Sequence, residues 1–282
     1  MLIRFNSFVV KFVLLGAAAF CLCMTALAQS AQKPAGAKGS VPDFTATWGV
    51  ARGARNGYTN PGYSITNVEP EMTPWALEQY KKIREGTIPK DPARLKRVGM
   101  WDRGRENLDP SEIHCLPWGP TRLFTFDHPI EIVQTPGVVY LLFEGDHAVR
   151  RIYVDGRDHG GMYDTYMGHS IGKYEGDALV VDTVAVKELT WLDTVGHVHS
   201  NQVHIVERIT RPDPDTLQID FTFDDPKAYT KPWTGRRVFE RLTGSKAEIL
   251  EYVTCQDHLE YDHIPRLLEG KPEIVEKIAP PL

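Results

Sequence analysis

The chain has 282 residues and a formal net charge of −5, and 42% of its residues are hydrophobic and 10% aromatic. That length and composition support a substantial core in one large domain or two small ones. Lysine and arginine form no block, which argues against partners such as nucleic acids and anionic membranes. We therefore expect a small-molecule ligand or substrate.

The N-terminus has the pattern of a secretory signal peptide. Arg4 and Lys11 precede an apolar run over 12–24, and small residues suited to cleavage follow it. The run is too short to span a bilayer, which needs ~20 apolar residues. The sequence therefore predicts removal of 1–28, then a flexible lead-in over 29–40. We expect a periplasmic or secreted protein with no membrane association after signal removal.

Export changes how the cysteines are interpreted. Cys21 and Cys23 would leave with the signal peptide, so Cys115 and Cys255 are the two that remain. An oxidising compartment favours a disulfide between them, and two buried free thiols are the alternative.

The folded domain is predicted over 41–264, with a C-terminal tail over 265–282. One helix is predicted over 74–85, because Thr73 can cap it and Pro74 occupies the favoured first position. Apolar residues follow in the helix at helical spacing. The charged stretch after the helix, as far as residue 110, indicates a lid or a surface excursion.

The remainder of the chain alternates short apolar segments with turn signals, which is typical of strands. Tight turns favour an up-and-down meander that closes on itself. The predicted fold class is all-β: a single antiparallel, lipocalin-like β-barrel with a helix-bearing N-terminal excursion. The predicted strands cover 44–48, 130–134, 138–143, 148–154, 169–174, 178–183, 202–210, 216–223, 234–242 and 247–254.

Glu207 falls on the apolar face of its predicted strand, together with Ile205 and Ile209. A carboxylate in that register is desolvated, which raises its pKa, unless a cation holds it. Two interpretations stay open. Glu207 is either a structural partner of an arginine such as Arg241 or Arg151, or a catalytic group.

Five motifs are specific enough to carry a resemblance. They are RIYVDGR at 151–157, GHSIG at 168–172, YEGDALVVDT at 174–183, TWLD at 190–193 and DDPKAYTKPW at 224–233. Over 41–257 they resemble a family of exported bacterial proteins that are mostly labelled hypothetical. That resemblance implies export and assigns no catalytic residue. The strand meander is also weakly similar to lipocalins.

Polar side chains are dense between 169 and 233, and they are costly beside apolar strand faces unless they are paired. Their density predicts a lined cavity. One interpretation is cofactor-independent acid–base chemistry of lyase, isomerase or hydrolase type on a small cyclic or aromatic molecule. The candidate residues are His199 or His169 as base, Glu207 or Asp193 to orient or protonate, and Arg151 or Lys231 to hold an anion.

Three alternatives remain beside that interpretation. His197 and His199 project to the same side of a strand and suggest a metal site shared with His204 or His169, although the carboxylate spacing departs from the cupin motif that it resembles. Plain ligand binding is the second alternative, and purely structural histidines are the third. In the binding alternative, aromatic side chains enclose the ligand: Trp48, Tyr153, Tyr166, Trp191 and Trp233.

The meander also predicts where the site lies. The loops 191–200 and 225–233 should open at the same end of the barrel, because a strand's start lies beside its antiparallel neighbour's end. This would bring His199, Asp193 and Lys231 to one cavity. An enzyme should also place a histidine within hydrogen-bond reach of a buried carboxylate.

Overall fold

The computed structural model describes residues 41–85, 111 and 116–251. Nine strands form a closed barrel in sequence order, and the last strand pairs with the first. This confirms the predicted all-β barrel. The strands are β1 (Ala46–Val50), β2 (Ile130–Thr135), β3 (Val138–Phe143), β4 (Val149–Tyr153), β5 (His169–Glu175), β6 (Ala178–Val184), β7 (His204–Asp213), β8 (Thr216–Asp224) and β9 (Trp233–Arg241).

One strand pair departs from a pure up-and-down order. β4 and β5 run parallel and are joined by two residue pairs, Ile152 with Ser170 and Tyr153 with Ile171. A parallel pair needs a crossover connection, which the long segment 154–168 supplies. We name this segment the crossover strap. It returns the chain from one end of the barrel to the other.

The two ends of the barrel therefore differ. Tight hairpins join β2 to β3, β5 to β6 and β7 to β8 at one end. The other end, here the loop end, carries the long connections before β2 and between β6 and β7, and the loop from β8 to β9. The start of β5 lies at the loop end as well. The predicted meeting of 191–200 and 225–233 at one end is confirmed.

The helix α1 (Pro74–Glu85) has the predicted bounds. The hydroxyl of Thr73 accepts a hydrogen bond from the backbone N–H of Ala76 at 3.3 Å, which satisfies one free donor of the first turn. Ala76 and Ile83 are buried, whereas Leu77 is 39% exposed, so the apolar stripe is narrower than the sequence indicated. No helix among the described residues is long and apolar enough to cross a membrane.

Apolar side chains fill the inner face of the barrel. Alternation along β8 places Leu217, Ile219, Phe221 and Phe223 inward, each at most 1% exposed, as their period of two predicts. Aromatic rings from the segment before β2 join them, since Phe124 lies 5.7 Å from Phe221 between ring centroids. The barrel axis is therefore occupied by protein.

The predicted strand over 247–254 is not found in its described part. A short 3-10 helix, Gly244–Ala247, is followed by irregular chain as far as residue 251. The predicted boundaries at residues 28 and 264 lie outside the described residues.

Candidate functional site

Glu207, one of the predicted site residues, lies inside the barrel and is fully buried, as its position on the apolar face of its strand predicted. Its partner is Arg150, and neither Arg151 nor Arg241 fills that role. Arg150 Nη1 donates to Glu207 Oε1 at 2.9 Å, and Nη2 donates to Oε2. Arg151 is exposed because the next residue along a strand points to the opposite face.

Two hydroxyls complete the surroundings of Arg150. Its guanidinium donates to Ser170 Oγ at 3.1 Å and to Thr183 Oγ1 at 2.9 Å. The two hydroxyls are also hydrogen-bonded to each other at 2.9 Å. Each charged atom of the pair is therefore satisfied within the protein. This arrangement is that of a structural ion pair.

The five aromatic residues proposed to enclose a ligand do not face one space. Trp48 lies in the core, where its indole N–H donates to the carbonyl of Phe44 at 3.0 Å. Tyr153 lies on the outside of β4, and Trp191 lies in a loop-end groove. Tyr166 packs under the ammonium of Lys187, and Trp233 stacks on Phe223 with ring centroids 4.3 Å apart. The predicted enclosure is therefore wrong.

At the loop end, Asp193 and His197 form a buried pair. His197 Nδ1 lies 2.6 Å from Asp193 Oδ2, and its Nε2 lies 3.2 Å from Glu69 Oε1. The ring stacks on Tyr80 of α1 at 4.9 Å. Burial lowers the pKa of His197, but the charge of Asp193 and the hydrogen bonds to both carboxylates outweigh it and raise the pKa to about 9. His197 is therefore an imidazolium that joins α1 to the loop.

Asp193 consequently serves His197 and not His199. Lys231 is exposed and binds Glu71 at 2.6 Å, away from both. The predicted grouping of His199, Asp193 and Lys231 at one cavity is thus wrong. The two loops do meet, because Tyr229 donates a hydrogen bond to the carbonyl of Val198 at 2.8 Å.

A second polar cluster lies on the outer wall of the barrel, at the loop end. Ser170 and Thr183 point inward to Arg150, so their neighbours His169 and Asp182 point outward. His204 at the start of β7 also points outward, since Ile205 is buried. The crossover strap adds a further histidine. We name the group of His159, His169, Asp182 and His204 the wall cluster.

Short contacts connect the wall cluster. Asp182 Oδ1 lies 3.1 Å from Nε2 of His159 and 2.9 Å from Nε2 of His204. Nδ1 of His159 in turn faces Nδ1 of His169 at 2.8 Å. The contacts form a chain from His204 through Asp182 and His159 to His169.

The chemistry of the acceptors determines which nitrogen of each histidine carries a proton in this hydrogen-bonded series. An ionised carboxylate only accepts, so His159 and His204 each carry a proton on Nε2. When Nε2 carries the only proton of His159, its Nδ1 has a lone pair that accepts the Nδ1–H of His169. The lone pair of His169 remains on Nε2, and none of the described residues hydrogen-bonds to that atom. Nε2 of His169 and Nδ1 of His204 are therefore the two basic nitrogens of this hydrogen-bonded chain that have no partner among the described residues.

The neighbours of His169 hold its ring in place. Tyr153 stacks on it with ring centroids 5.5 Å apart, and the guanidinium of Arg157 lies 3.8 Å from the centre of the Tyr153 ring. Arg157 also binds Asp155 at 2.6 Å. Burial lowers the pKa of His169, and the electrostatic interactions with His159 and Arg157 lower it further. His169 is therefore neutral at neutral pH.

Gly168 permits this placement. Its φ of +65° is in the left-handed region, and a Cβ there would lie 2.7 Å from the carbonyl oxygen of Val184. Only glycine fits that approach. The motif GHSIG thus places one histidine outward and one serine inward at a constrained bend.

Sequence reasoning identified His169 and Tyr153 and missed His159, Asp182 and Arg157. Asp182 alternates with buried residues on β6, and that alternation is also typical of an ordinary solvated face. His159 stands in a stretch without periodicity. The signal available was the placement of His169 and Asp182 on outward positions of two predicted hairpin strands.

The three histidines of the predicted metal alternative are separated. His197 binds two carboxylates, His199 contacts Thr190, and His204 contacts Asp182. In the part of the chain that the structure describes, no group of three or more His, Cys, Asp or Glu residues is arranged to hold a metal ion. The predicted disulfide between Cys115 and Cys255 lies outside the described residues.

Comparison of the sequence with protein-family models gives no match. Comparison with curated proteins gives no match either.

Proposed function

We propose that the protein is an exported enzyme that performs cofactor-independent acid–base chemistry on a small cyclic or aromatic molecule at the wall cluster. His169 is the base. The observation that carries the proposal is the hydrogen-bonded chain from Asp182 through His159, which orients the His169 ring and leaves its Nε2 unbonded. A base oriented by a second group and a carboxylate is a recurrent catalytic arrangement.

The proton path is balanced within the cluster. Nε2 of His169 takes a proton from the substrate, and the Nδ1 proton of His169 moves to Nδ1 of His159. His159 becomes an imidazolium whose Nε2–H faces Asp182 at 3.1 Å. The new positive charge thus lies beside a carboxylate, which stabilises it. Reversal of the same path returns the proton to the product.

Substrate binding is supported by the groups beside His169. The exposed Arg157, which lies over the Tyr153 ring, supplies a positive charge for a developing anion. Arg151, a predicted anion-holding residue, lies on the same outer face of β4 two residues before Tyr153. A planar molecule that carries an enolate or carboxylate in its reacting form suits this set.

A deuterium-exchange assay tests the proposal without a known substrate. The purified protein is incubated in D₂O with a library of small cyclic and aromatic metabolites, which are then analysed by mass spectrometry. We expect deuterium incorporation or conversion of some library members. His169→Gln should reduce the rate by ~10²-fold or more. Asp182→Asn should reduce it less, because it weakens the orientation and keeps the base.

Lys173→Gln is the matched control, since Lys173 lies on the outer face of the same strand and is exposed. It should react like the wild type. A wild-type protein that shifts its melting temperature with a metabolite but neither exchanges nor converts it is a binding protein, the alternative function. Equal rates in the wild type and His169→Gln place the chemistry elsewhere.

Export is supported by the charged N-terminus and apolar run of residues 1–28. In a Gram-negative host, the periplasmic fraction should contain a chain whose first residue is Gln29. Recovery of the intact chain, with Met1 retained, from the cytoplasm alone would contradict export.

A further inference from the structure

A groove lies at the loop end, between α1 and the connection from β6 to β7. Its volume is about 250 Å³, which suits a small molecule. It is separate from the wall cluster and shares no residue with it. The lining residues are Trp75, Gln79, Lys82, Ile83, Glu188, Leu189, Thr190, Trp191, Val198 and His199.

Two of the lining residues form a hydroxyl–imidazole pair. Oγ1 of Thr190 lies 2.7 Å from Nε2 of His199, and Nδ1 of His199 lies 2.9 Å from the carbonyl oxygen of Ser200. A carbonyl only accepts, so His199 carries its proton on Nδ1 and has a lone pair on Nε2. The hydroxyl of Thr190 therefore donates to His199 at 2.7 Å, since the carbonyl oxygen of Lys187, its other acceptor, lies farther away at 3.4 Å.

Asp225 fixes the residue that orients His199. Ser200 donates to it twice, from its backbone N–H to Oδ2 at 2.6 Å and from its hydroxyl to Oδ1 at 2.8 Å. Asp225 is 1% exposed. The carbonyl of Ser200 is thereby held in one position, and the ring of His199 with it.

From this geometry we infer that Thr190 is a nucleophile, with His199 as its base, and that the groove is an acyl-transfer site for small carboxylic esters. A hydroxyl within hydrogen-bond reach of a base that a third group orients is the requirement for nucleophilic catalysis. The inference goes beyond the proton transfer proposed at the wall cluster and does not depend on it.

The reaction balances with water as the second substrate. Nε2 of His199 takes the Thr190 hydroxyl proton while Oγ1 bonds to the ester carbon, and the leaving alcohol takes that proton as its bond to the carbon breaks. Water then gives a proton to His199 and its oxygen bonds to the acyl carbon. Thr190 leaves with the proton from His199, and a carboxylic acid is released.

The groove walls define the class of ester. Trp75, Trp191 and Leu189 offer apolar surface for an aromatic or short aliphatic group. Lys82 and Gln79 of α1 also line the groove and carry N–H donors that suit the oxyanion of the tetrahedral intermediate. The volume restricts the substrate to a small ester.

Acylation by p-nitrophenyl acetate tests the inference on the full-length protein. We expect release of p-nitrophenol and an intact mass increased by one acetyl group, which peptide mapping assigns to Thr190. Thr190→Ser should keep the acylation. Thr190→Val keeps the shape without the hydroxyl and should abolish acylation at this position. His199→Gln should slow it by ~10²-fold.

Two controls exclude other causes. Thr230→Val removes an exposed hydroxyl at the same end of the barrel and should acylate like the wild type. Hydroxylamine cleaves the ester expected at Thr190 and leaves an amide on Lys82 intact. Circular dichroism checks that Thr190→Val folds, and if it does not, the slowed acylation of His199→Gln supplies the test. Acylation of lysines only, or none in the wild type, overturns the inference.

Discussion

Removal of the charge of Glu207 provides the sharpest test of how the barrel interior is built. Glu207 and Arg150 are 0% and 1% exposed, and the carboxylate is held by two hydrogen bonds from one guanidinium. In Glu207→Gln the shape is kept, but the positive charge of Arg150 stays buried without a counter-charge. The neutral acceptors Ser170, Thr183 and the carbonyl of Pro120 remain to accept its hydrogen bonds but supply no negative charge.

The expected cost is about 3–5 kcal/mol of unfolding free energy, the usual range when one partner of a buried ion pair is lost. For a domain of this size, that is a fall in melting temperature of roughly 6–20 °C. Denaturant titration followed by tryptophan fluorescence measures the free energy, and calorimetry measures the temperature.

The double variant Arg150→Met with Glu207→Leu removes both charges together. Its unfolding free energy should lie near that of the wild type or above it, because desolvation of the two charges is avoided. Ser170 and Thr183 can still hydrogen-bond to each other. Glu71→Gln is the exposed control and should change the free energy by at most ~1 kcal/mol. A Glu207→Gln protein within ~0.5 kcal/mol of the wild type would refute the reasoning.

Alternation along strands allowed most of the barrel to be predicted. The period of two in β8 gave the buried residues correctly, and Gly176 marked the hairpin between β5 and β6. The parallel pairing of β4 with β5 was not predictable, because it depends on a non-local crossover. The hydrophobic residues of the segment 154–168 follow neither the period of two of a strand nor the period of about 3.6 of a helix. The segment therefore gives no local signal of its path.

The partner of Glu207 shows how a one-residue shift changes an interpretation. Ile152 is buried, so Arg150, two residues before it, shares the inner face, and Arg151 between them does not. Applied to β4, this rule selects Arg150 over Arg151. The rule can be applied only when the inner face of β4 is known. From the sequence, Ile152 is the one apolar residue between the two arginines and Tyr153, and a single residue defines a face poorly.

The wall cluster was half predictable for a related reason. His169 was identified as a possible base from the polar density around it. Its orientation depends on His159, which is ten residues away in the crossover strap. Because the strap's path over the outer wall follows from the parallel pair, the contact between the two rings became visible only with the tertiary structure.

Cys115 and Cys255 should resist alkylation until a reductant is added, and Cys115→Ala should lower the melting temperature; full labelling of both thiols in the native protein would contradict the disulfide. Gly168→Ala should cost ~1–3 kcal/mol, measured by denaturant titration, because of the left-handed φ and the close carbonyl of Val184. His197 has its pKa raised from 6.5 to about 9, so its contribution to stability is fully present below about pH 6.5 and is lost as the pH rises through about 9. The melting temperature should fall over that interval in the wild type and stay flatter in His197→Gln. The last prediction concerns the crossover strap, which is fastened to the wall by the contact of His159 with His169 and Asp182. The pKa of His169 is lowered, by burial first and then by electrostatic interactions with His159 and Arg157, so the placement of His169 contributes stability above about pH 6.5 and loses it as the pH falls through the folded-state value. A protonated His169 is disfavoured beside His159 and Arg157, which weakens the attachment of the strap. Amide hydrogen exchange over 154–168 should therefore increase in acid relative to β6, after correction for the intrinsic pH dependence of exchange, and His159→Phe should remove most of that increase. An unchanged protection ratio between pH 7.5 and pH 5 in the wild type means that the two histidines do not fasten the strap.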